Sequence, residues 1–304
     1  MSQPAGATAP PGQLRYGQAS ASAIDAELAG GNDLVVLRTG SGAETGEGRV
    51  RTSALGPAAL LGAAVGAAAA GVRAVADLGQ LHPDVHLEEL TDQLELAGAA
   101  GPVRLTVRLV EPPAARRGVG SWRRVVPALL AGTAGRPATR LVAPATAADC
   151  YGLMRSALRD EGTVILVEQQ ALAEEPGPVS LTDGAVPLGR AEVVRPGEQV
   201  TIVAAQLQRA RALEAATALA ASGVSAEVID PRTLVPFDDA TVIASLKKTA
   251  RLVVLEEPVP GGWEAPLLGR LASACFEHLD APPRLVAAAV AAHVVDVARE
   301  LTSY

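Results

Sequence analysis

Short apolar runs alternating with longer helical stretches are the feature that most constrains this chain. In the first half the runs lie at 33–37 (DLVVL), 72–78, 103–109 (VRLTVRL), 140–143 (RLVA) and 164–168 (VILVE). Helical patterns fill the gaps at 55–71, 84–97, 122–131 and 147–159, the last with Thr146 as its cap. The second half repeats the scheme, with strands expected at 200–204, 226–229, 252–255 and 285–289. Helices are expected there at 208–221, 238–249, 263–279 and over the C-terminal tail. The segment 238–249 opens on two acids and closes on two lysines, the order a helix dipole favours. Strands separated by helices of this length make βαβ units and a parallel sheet.

Composition decides what fills that framework. Hydrophobic residues make up 49% of the chain but aromatics only 2%, so the core must be built from Ala, Val and Leu. Such a core suits parallel sheets covered by close-packed helices. At about 100–200 residues per domain, 304 residues make two. We expect an α/β fold of two doubly wound domains with mainly parallel sheets. The boundaries read as a disordered leader at 1–29, a first domain at 30–175, a Pro- and Gly-rich linker at 176–198 and a second domain at 199–304.

Several function classes drop out. A net charge of −7 argues against nucleic acid, which calls for a basic face. Two cysteines, Cys150 and Cys275, make neither a disulfide framework nor a cysteine zinc site, and read as small buried apolar residues. The uncharged run 52–72 is mostly Ala and Gly with a Pro inside, so it reads as a buried helix rather than a membrane span. With no apolar signal segment at its start, the chain is expected in the cytoplasm. His82 and His86 stand four apart, but Pro83 lies between them and the pair reads as a helix start. The Gly-rich turns of 40–48 lack the Lys of a phosphate loop. Arg116, Arg117, Arg123 and Arg124 suit either an anionic substrate, acids of a partner, or plain solvation. No nucleophile–base pair stands at a telling spacing.

Residues 186–271 carry a denser signal. Pro187-Leu188-Gly189-Arg190, Val200-Thr201-Ile202-Val203, Ala226-Glu227-Val228-Ile229-Asp230 with Arg232-Thr233-Leu234, and Glu256-Glu257 before Gly261-Gly262 follow one another. Together they closely resemble the C-terminal domain of the beta subunit of 2-oxo acid dehydrogenase first components, in the transketolase superfamily. The first half resembles the same subunit through Gly62-Ala63-Ala64-Val65-Gly66 with Ala70-Gly71, Leu141-Val142-Ala143-Pro144, and Ala157-Leu158-Arg159-Asp160. The resemblance implies a pyrimidine-binding-like domain followed by a transketolase C-terminal-like domain. It also implies thiamine diphosphate with Mg²⁺, shared with an alpha-type subunit that holds the diphosphate, in an alpha-two beta-two tetramer or on a beta–beta dimer. This chain has Asp183-Gly184, but its one Asn is Asn32, far upstream, so the diphosphate half must come from the partner.

The active-site pattern departs from that family. Thiamine chemistry needs a carboxylate against the pyrimidine N1′. The family carries it five residues before the first Gly of the glycine-rich helix, which here is Pro57. The nearest substitutes upstream are Glu44 and Glu47. The aromatic that stacks on the pyrimidine gives way to Gly79-Gln80-Leu81-His82, and the loop that carries an active-site His reads Arg116 to Arg123 without one. The positions set against the pyrimidine are thus Pro57, Gln80 and Ser121. Asp160 lies in a loop that in the family holds a structural potassium ion. Three readings follow: a beta-type subunit with an altered site, a degenerate scaffold or regulatory paralogue, and a stand-alone enzyme with a repurposed pocket.

Overall fold

The computed structural model describes residues 12–31, 33–40, 48–80, 103–113, 139–181, 184–257, 262–287 and 289–303. The first sheet has seven strands: β2 (Leu34–Thr39), β3 (Val50–Ser53), β4 (Arg73–Gln80), β5 (Leu105–Glu111), β6 (Thr139–Val142), β7 (Thr163–Gln169) and β12 (Thr233–Val235). Their order is β12-β6-β7-β5-β4-β2-β3, parallel throughout except for β12. The second sheet takes β9 (Glu192–Arg195), β10 (Val200–Val203), β11 (Ala226–Asp230), β13 (Leu252–Glu256) and β14 (Arg284–Ala287). Its order is β14-β13-β10-β11-β9, with β9 the antiparallel edge. Helices lie on both faces of each sheet, and the expected α/β architecture stands.

Why the helices form is legible locally. Thr146 caps α3 (Ala147–Arg159), its hydroxyl accepting from Asp149 N at 3.1 Å. Asp238 does the same for α5 (Asp239–Thr249), accepting from Thr241 N at 3.2 Å, and Lys247 and Lys248 occupy the last turn. Helix α2 (Pro57–Ala69) carries no polar side chain and turns Leu60, Leu61, Ala64 and Ala68 to the sheet. The expected helices at 84–97 and 122–131 lie outside the described residues.

The expectation of a disordered leader is overturned over part of its length. Residues 12–29 fold, as β1 (Gln13–Arg15) and α1 (Tyr16–Ala29). The composition of α1 is Ala- and Ser-rich, yet Tyr16, Ala19, Ala23, Ile24 and Leu28 recur at helical spacing and are buried with Cys150, Tyr151 and Met154 of α3. Tyr16 donates to Pro144 O at 3.1 Å and accepts from Gln169 N at 3.2 Å. Glu27 takes Arg155 and Arg159 at 2.9 and 2.7 Å. Their guanidiniums hold its carboxyl below the usual range against the opposing effect of burial.

The linker also carries structure: β8 (Pro176–Pro178) pairs with β1, and β9 already belongs to the second sheet. In the other direction β12, from the second half of the chain, closes the first sheet beside β6, pairing Thr233 with Val142. The chain makes that crossing at Asp230-Pro231-Arg232, where Arg232 has φ 52°. One continuous core therefore runs from α2 through Leu141, Ile165 and Val167 to Val203, Leu234, Leu246 and Leu267 of the second half. No helix among the described residues is long and apolar enough to cross a membrane.

The sheet's other face carries a buried ion network. Arg108 on β5 reaches Glu168 on β7 through Nε and Nη2, each at 2.8 Å, and Asp77 on β4 at 2.8 Å. Ser20 of α1 donates to Glu168, and Arg38 on β2 reaches Asp77 at 2.9 Å. Burial opposes the Arg108 charge, but the Glu168 and Asp77 carboxylates outweigh it and raise the guanidinium pKa.

A second charged seam joins the two halves. Asp230, fully buried, accepts from Arg232 N at 3.0 Å and faces Arg209 of α4 (Leu207–Ala221) at 3.2 Å. Arg232 turns to Asp149 at 3.5 Å and to Glu192 at 3.4 Å. Burial, and after it the charge on Asp149, pushes the Asp230 carboxyl up to about 8. A carboxyl raised in the fold contributes stability that is complete below its unfolded value and is lost as pH rises through the folded one. The expected result for Asp230→Asn is a stability from urea unfolding that meets the parent's near pH 4, about the unfolded carboxyl value, and rises progressively above it toward pH 9, by several kcal/mol at most. Parallel curves from pH 4 to 9 would refute this.

Candidate active site at the carboxyl edge of the first sheet

Strands β2, β3, β4, β5 and β7 run parallel and end along one edge on Thr39, Ser53, Gln80, Glu111 and Gln169. In open α/β sheets ligands bind outside this edge. Helix α2 begins there, following β3. Pro57 is its first residue and Gly56 its cap, so the ring's fixed φ suits the position and the missing N–H would have had no helical partner. The same residue leaves the helix start without a carboxylate, and its first turn holds no acid.

Beside it, Gln80 ends β4, exposed, with its amide donating to Gln170 at 2.9 Å. Gln169 ties the edge to the second half: its amide nitrogen donates to Glu257 and its oxygen accepts from Leu207 N at 3.1 Å, at the start of α4. Gln206 donates to Val167 O at 2.8 Å from a backbone with φ 52°, a strained conformation for a side-chain-bearing residue.

Between Gln80 and Gln169 stands a carboxylate that motif and spacing do not single out. Glu111 is the last residue of β5 and is 2% exposed. Its register partner on β7 is Gln169, and Val110 beside it faces Gln80 on β4. Alternation sets its direction. Leu105, Val107 and Leu109 share a core with Leu60, Leu61 and Ala64 of α2, whereas Thr106 and Arg108 turn to the opposite face, toward Ala157 and Glu168. Glu111, two residues past Leu109, therefore faces the α2 side, where the second half also packs. The available signal is the run VRLTVRLVE, whose strict alternation ends on an acid.

Asp160 lies at the other end of the sheet, in the turn leading into β7. Its carboxylate takes Arg140 and the Gly162 N–H at 2.8 Å, while Arg73 donates to the carbonyls of Leu158 and Asp160 at 2.7 and 2.8 Å. Arg140, Ser156, Arg159, Asp160 and Leu188 line an open depression of about 370 Å³. Both of its arginines are paired, with Asp160 and Glu27. No group of three potential metal ligands occurs among the described residues. Glu44, Glu47, Ser121, His82, His86 and Arg116 to Arg124 lie outside the described residues.

Comparison with known proteins places this geometry. Residues 189–299 match the family model of the transketolase C-terminal domain. Over 252 residues the chain is 33% identical to the pyruvate dehydrogenase E1 component subunit beta-1, mitochondrial, of Arabidopsis thaliana, covering 80% of this chain and 69% of that one. The chain belongs to the beta-subunit family of 2-oxo acid dehydrogenase first components. Another relative is the pyruvate dehydrogenase E1 component subunit beta of Rickettsia bellii, 40% identical over 155 residues, 49% of this chain and 46% of that one. A third is the acetoin:2,6-dichlorophenolindophenol oxidoreductase subunit beta of Cupriavidus necator, 34% identical over 217 residues, 70% of this chain and 63% of that one. A rice mitochondrial beta-2 subunit is matched over 66% of its length, so this beta-family chain spans about two thirds of such relatives. Among solved structures, a split-gene transketolase described as an inactive beta4 tetramer superposes with a TM-score of 0.73 at 22% identity, covering 95% of this chain and 98% of that one. That likeness shows the fold.

Whether the family's cofactor suits this chain is decided at the carboxyl edge. The start of α2 offers the aminopyrimidine nothing, since Pro57 has no proton to share. The edge itself offers a buried carboxylate, Glu111, flanked by the amides of Gln80 and Gln169. Both ends of the Gln169 amide are already taken by Glu257 and Leu207, Gln80 donates to Gln170, and Glu111 is buried, so the described residues of this edge do not by themselves fit an aminopyrimidine.

Proposed function

We propose that this chain is the beta-type subunit of a heteromeric, thiamine-diphosphate-dependent 2-oxo acid dehydrogenase or transketolase-like enzyme. The observation that carries the proposal is the 252-residue match at 33% identity, which reaches across both sheets to beta subunits of that family. The pyrimidine half of the cofactor, which supplies the carbanion-stabilising chemistry when bound, would lie against the family positions that Pro57 and Gln80 occupy. An alpha-type partner would hold the diphosphate and Mg²⁺ in an alpha-two beta-two assembly. The outer side of α2 supports a partner: Ala59, Ala63 and Gly66 are exposed, and these small side chains let another backbone approach closely. We place the complex in the cytoplasm.

Light scattering and calorimetry test this reading. Co-expressed with an alpha-type chain, the protein should elute as a heterotetramer and bind thiamine diphosphate only with Mg²⁺ and the partner present. A chain that stays unassociated, with no cofactor bound by the mixture, would end the proposal. The second reading, a scaffold without proton chemistry, draws on Pro57 and expects assembly with cofactor binding unaffected by any change on this chain's sheet edge.

A further inference from the structure

We infer that Gln169 is the built-in occupant of the second sheet's ligand crevice. Its side-chain amide stands where a sheet of this kind takes a small molecule, and by standing there it joins the two halves of the chain. The inference goes beyond the thiamine reading and does not depend on it.

Topology locates the crevice. In an open parallel sheet it lies at the carboxyl ends of two neighbouring strands whose onward connections leave in opposite directions. In the second sheet those neighbours are β10 and β13. From β10 the chain runs through α4 to β11 on one side, and from β13 through α6 (Glu264–Ala274) to β14 on the other. The two helices cover opposite faces, α4 in a core with Val200 and Ile202, and α6 in a core with Val203 and Val254. A ligand at such a point meets the first N–H groups of the helix that follows one strand and the groups that follow the other. Gln169 makes both contacts. Its Oε1 accepts at 3.1 Å from the N–H of Leu207, the first residue of α4, and its Nε2 donates to Glu257, the residue after β13.

The surroundings hold the amide in place. The Gln169 N–H donates to the Tyr16 hydroxyl at 3.2 Å, which fixes the end of β7. Gln206, just before α4, reaches back to Val167 O at 2.8 Å from a backbone with φ 52°, the kind of strain found where a turn is shaped around a ligand. Gln169, Gln206 and Glu257 are all buried, Gln169 to 1% exposure, so the crevice is full and closed to solvent. An apolar side chain at 169 would fill the same space, but it would take from the Leu207 N–H its acceptor and from Glu257 one of its donors.

The test removes the occupant and supplies it again from solution. Gln169→Ala deletes a group with the shape and hydrogen bonds of acetamide. In the full chain its unfolding equilibrium constant should rise by about 10²-fold, read by scanning calorimetry as a lowered thermal midpoint. Acetamide should then raise the variant's midpoint saturably, as a ligand of the folded form does, and leave the parent without that response. Gln169→Leu, whose side chain fills the space, should stay at its lowered midpoint. A second pair carries the test should the alanine variant not fold. Gln169→Glu sets a carboxylate against Glu257 and lowers the midpoint, and adding Glu257→Gln reverses the bond and should recover a large part of the loss. Acetamide acting equally on the parent and Gln169→Ala, or strictly additive losses in the exchanged pair, overturns the inference.

Discussion

Replacing Arg108 by methionine should lower stability by about 3–5 kcal/mol, because it strands two carboxylates in the interior. Glu168 and Asp77 have side-chain exposures of 1% and 6%, and Arg108 supplies three of their contacts at 2.8 Å. The cost comes from the partners left behind rather than from the pair's net worth. Removing the acid as well should therefore recover much of the loss, and Arg108→Met with Glu168→Gln is expected to be more stable than Arg108→Met alone. Urea midpoints of the single and double variants measure this, and strictly additive losses would refute it. The network ties α1, β2, β4, β5 and β7 together directly behind the edge that carries Glu111, Gln80 and Gln169.

Gly152→Ala is expected to destabilise, against the usual direction for a helix interior, where alanine is better by about 1 kcal/mol. Gly152 lies in α3, and a Cβ there would overlap the carbonyl oxygen of Gly184 and stand 2.5 Å from Val186 Cγ2. The segment cannot move away cheaply, since Val186 N donates to Gly152 O at 3.1 Å and Ser156 donates to Val186 O at 2.6 Å. Overpacking of this kind costs about 1–3 kcal/mol and more when backbone must shift, so a net loss of about 2 kcal/mol is expected. Gly66→Ala in α2 is the control: nothing lies within 4 Å of its Cβ, and the isolated chain should gain stability. A loss at Gly66 as large as at Gly152 would refute the steric account.

Much of this protein is legible in its residues alone. Capping by Thr146 and Asp238, the lysines ending α5 and the period-2 run over 105–111 are local signals, acting over three or four residues along the chain. For that reason the α/β class, the strands at 34–39, 105–111, 163–169, 200–203, 226–230 and 252–256, and the helices at 147–159, 207–221 and 239–249 follow from the amino-acid order. The candidate site is legible only in part. Pro57 and Gln80 can be placed by spacing within the family pattern, but the burial of Glu111 cannot, because it depends on which strands flank β5 and what covers its end.

What the tertiary structure alone decided shares one physical character: each case joins residues far apart in sequence. Helix α1 has the composition of a low-complexity leader, and only the surface of α3 buries Tyr16 and Ile24. Strand β12 reads as part of the second half, yet it closes the first sheet beside β6, about ninety residues upstream, by covering that sheet's exposed edge. Gln169 reads as the polar end of a strand, and only packing shows it capping α4 across the seam. Periodicity and capping are settled by short-range backbone geometry, which the sequence by itself determines. Strand neighbours, buried ion partners and the face a terminal carboxylate meets are settled by which distant surfaces exclude water together, and that is a property of the folded chain.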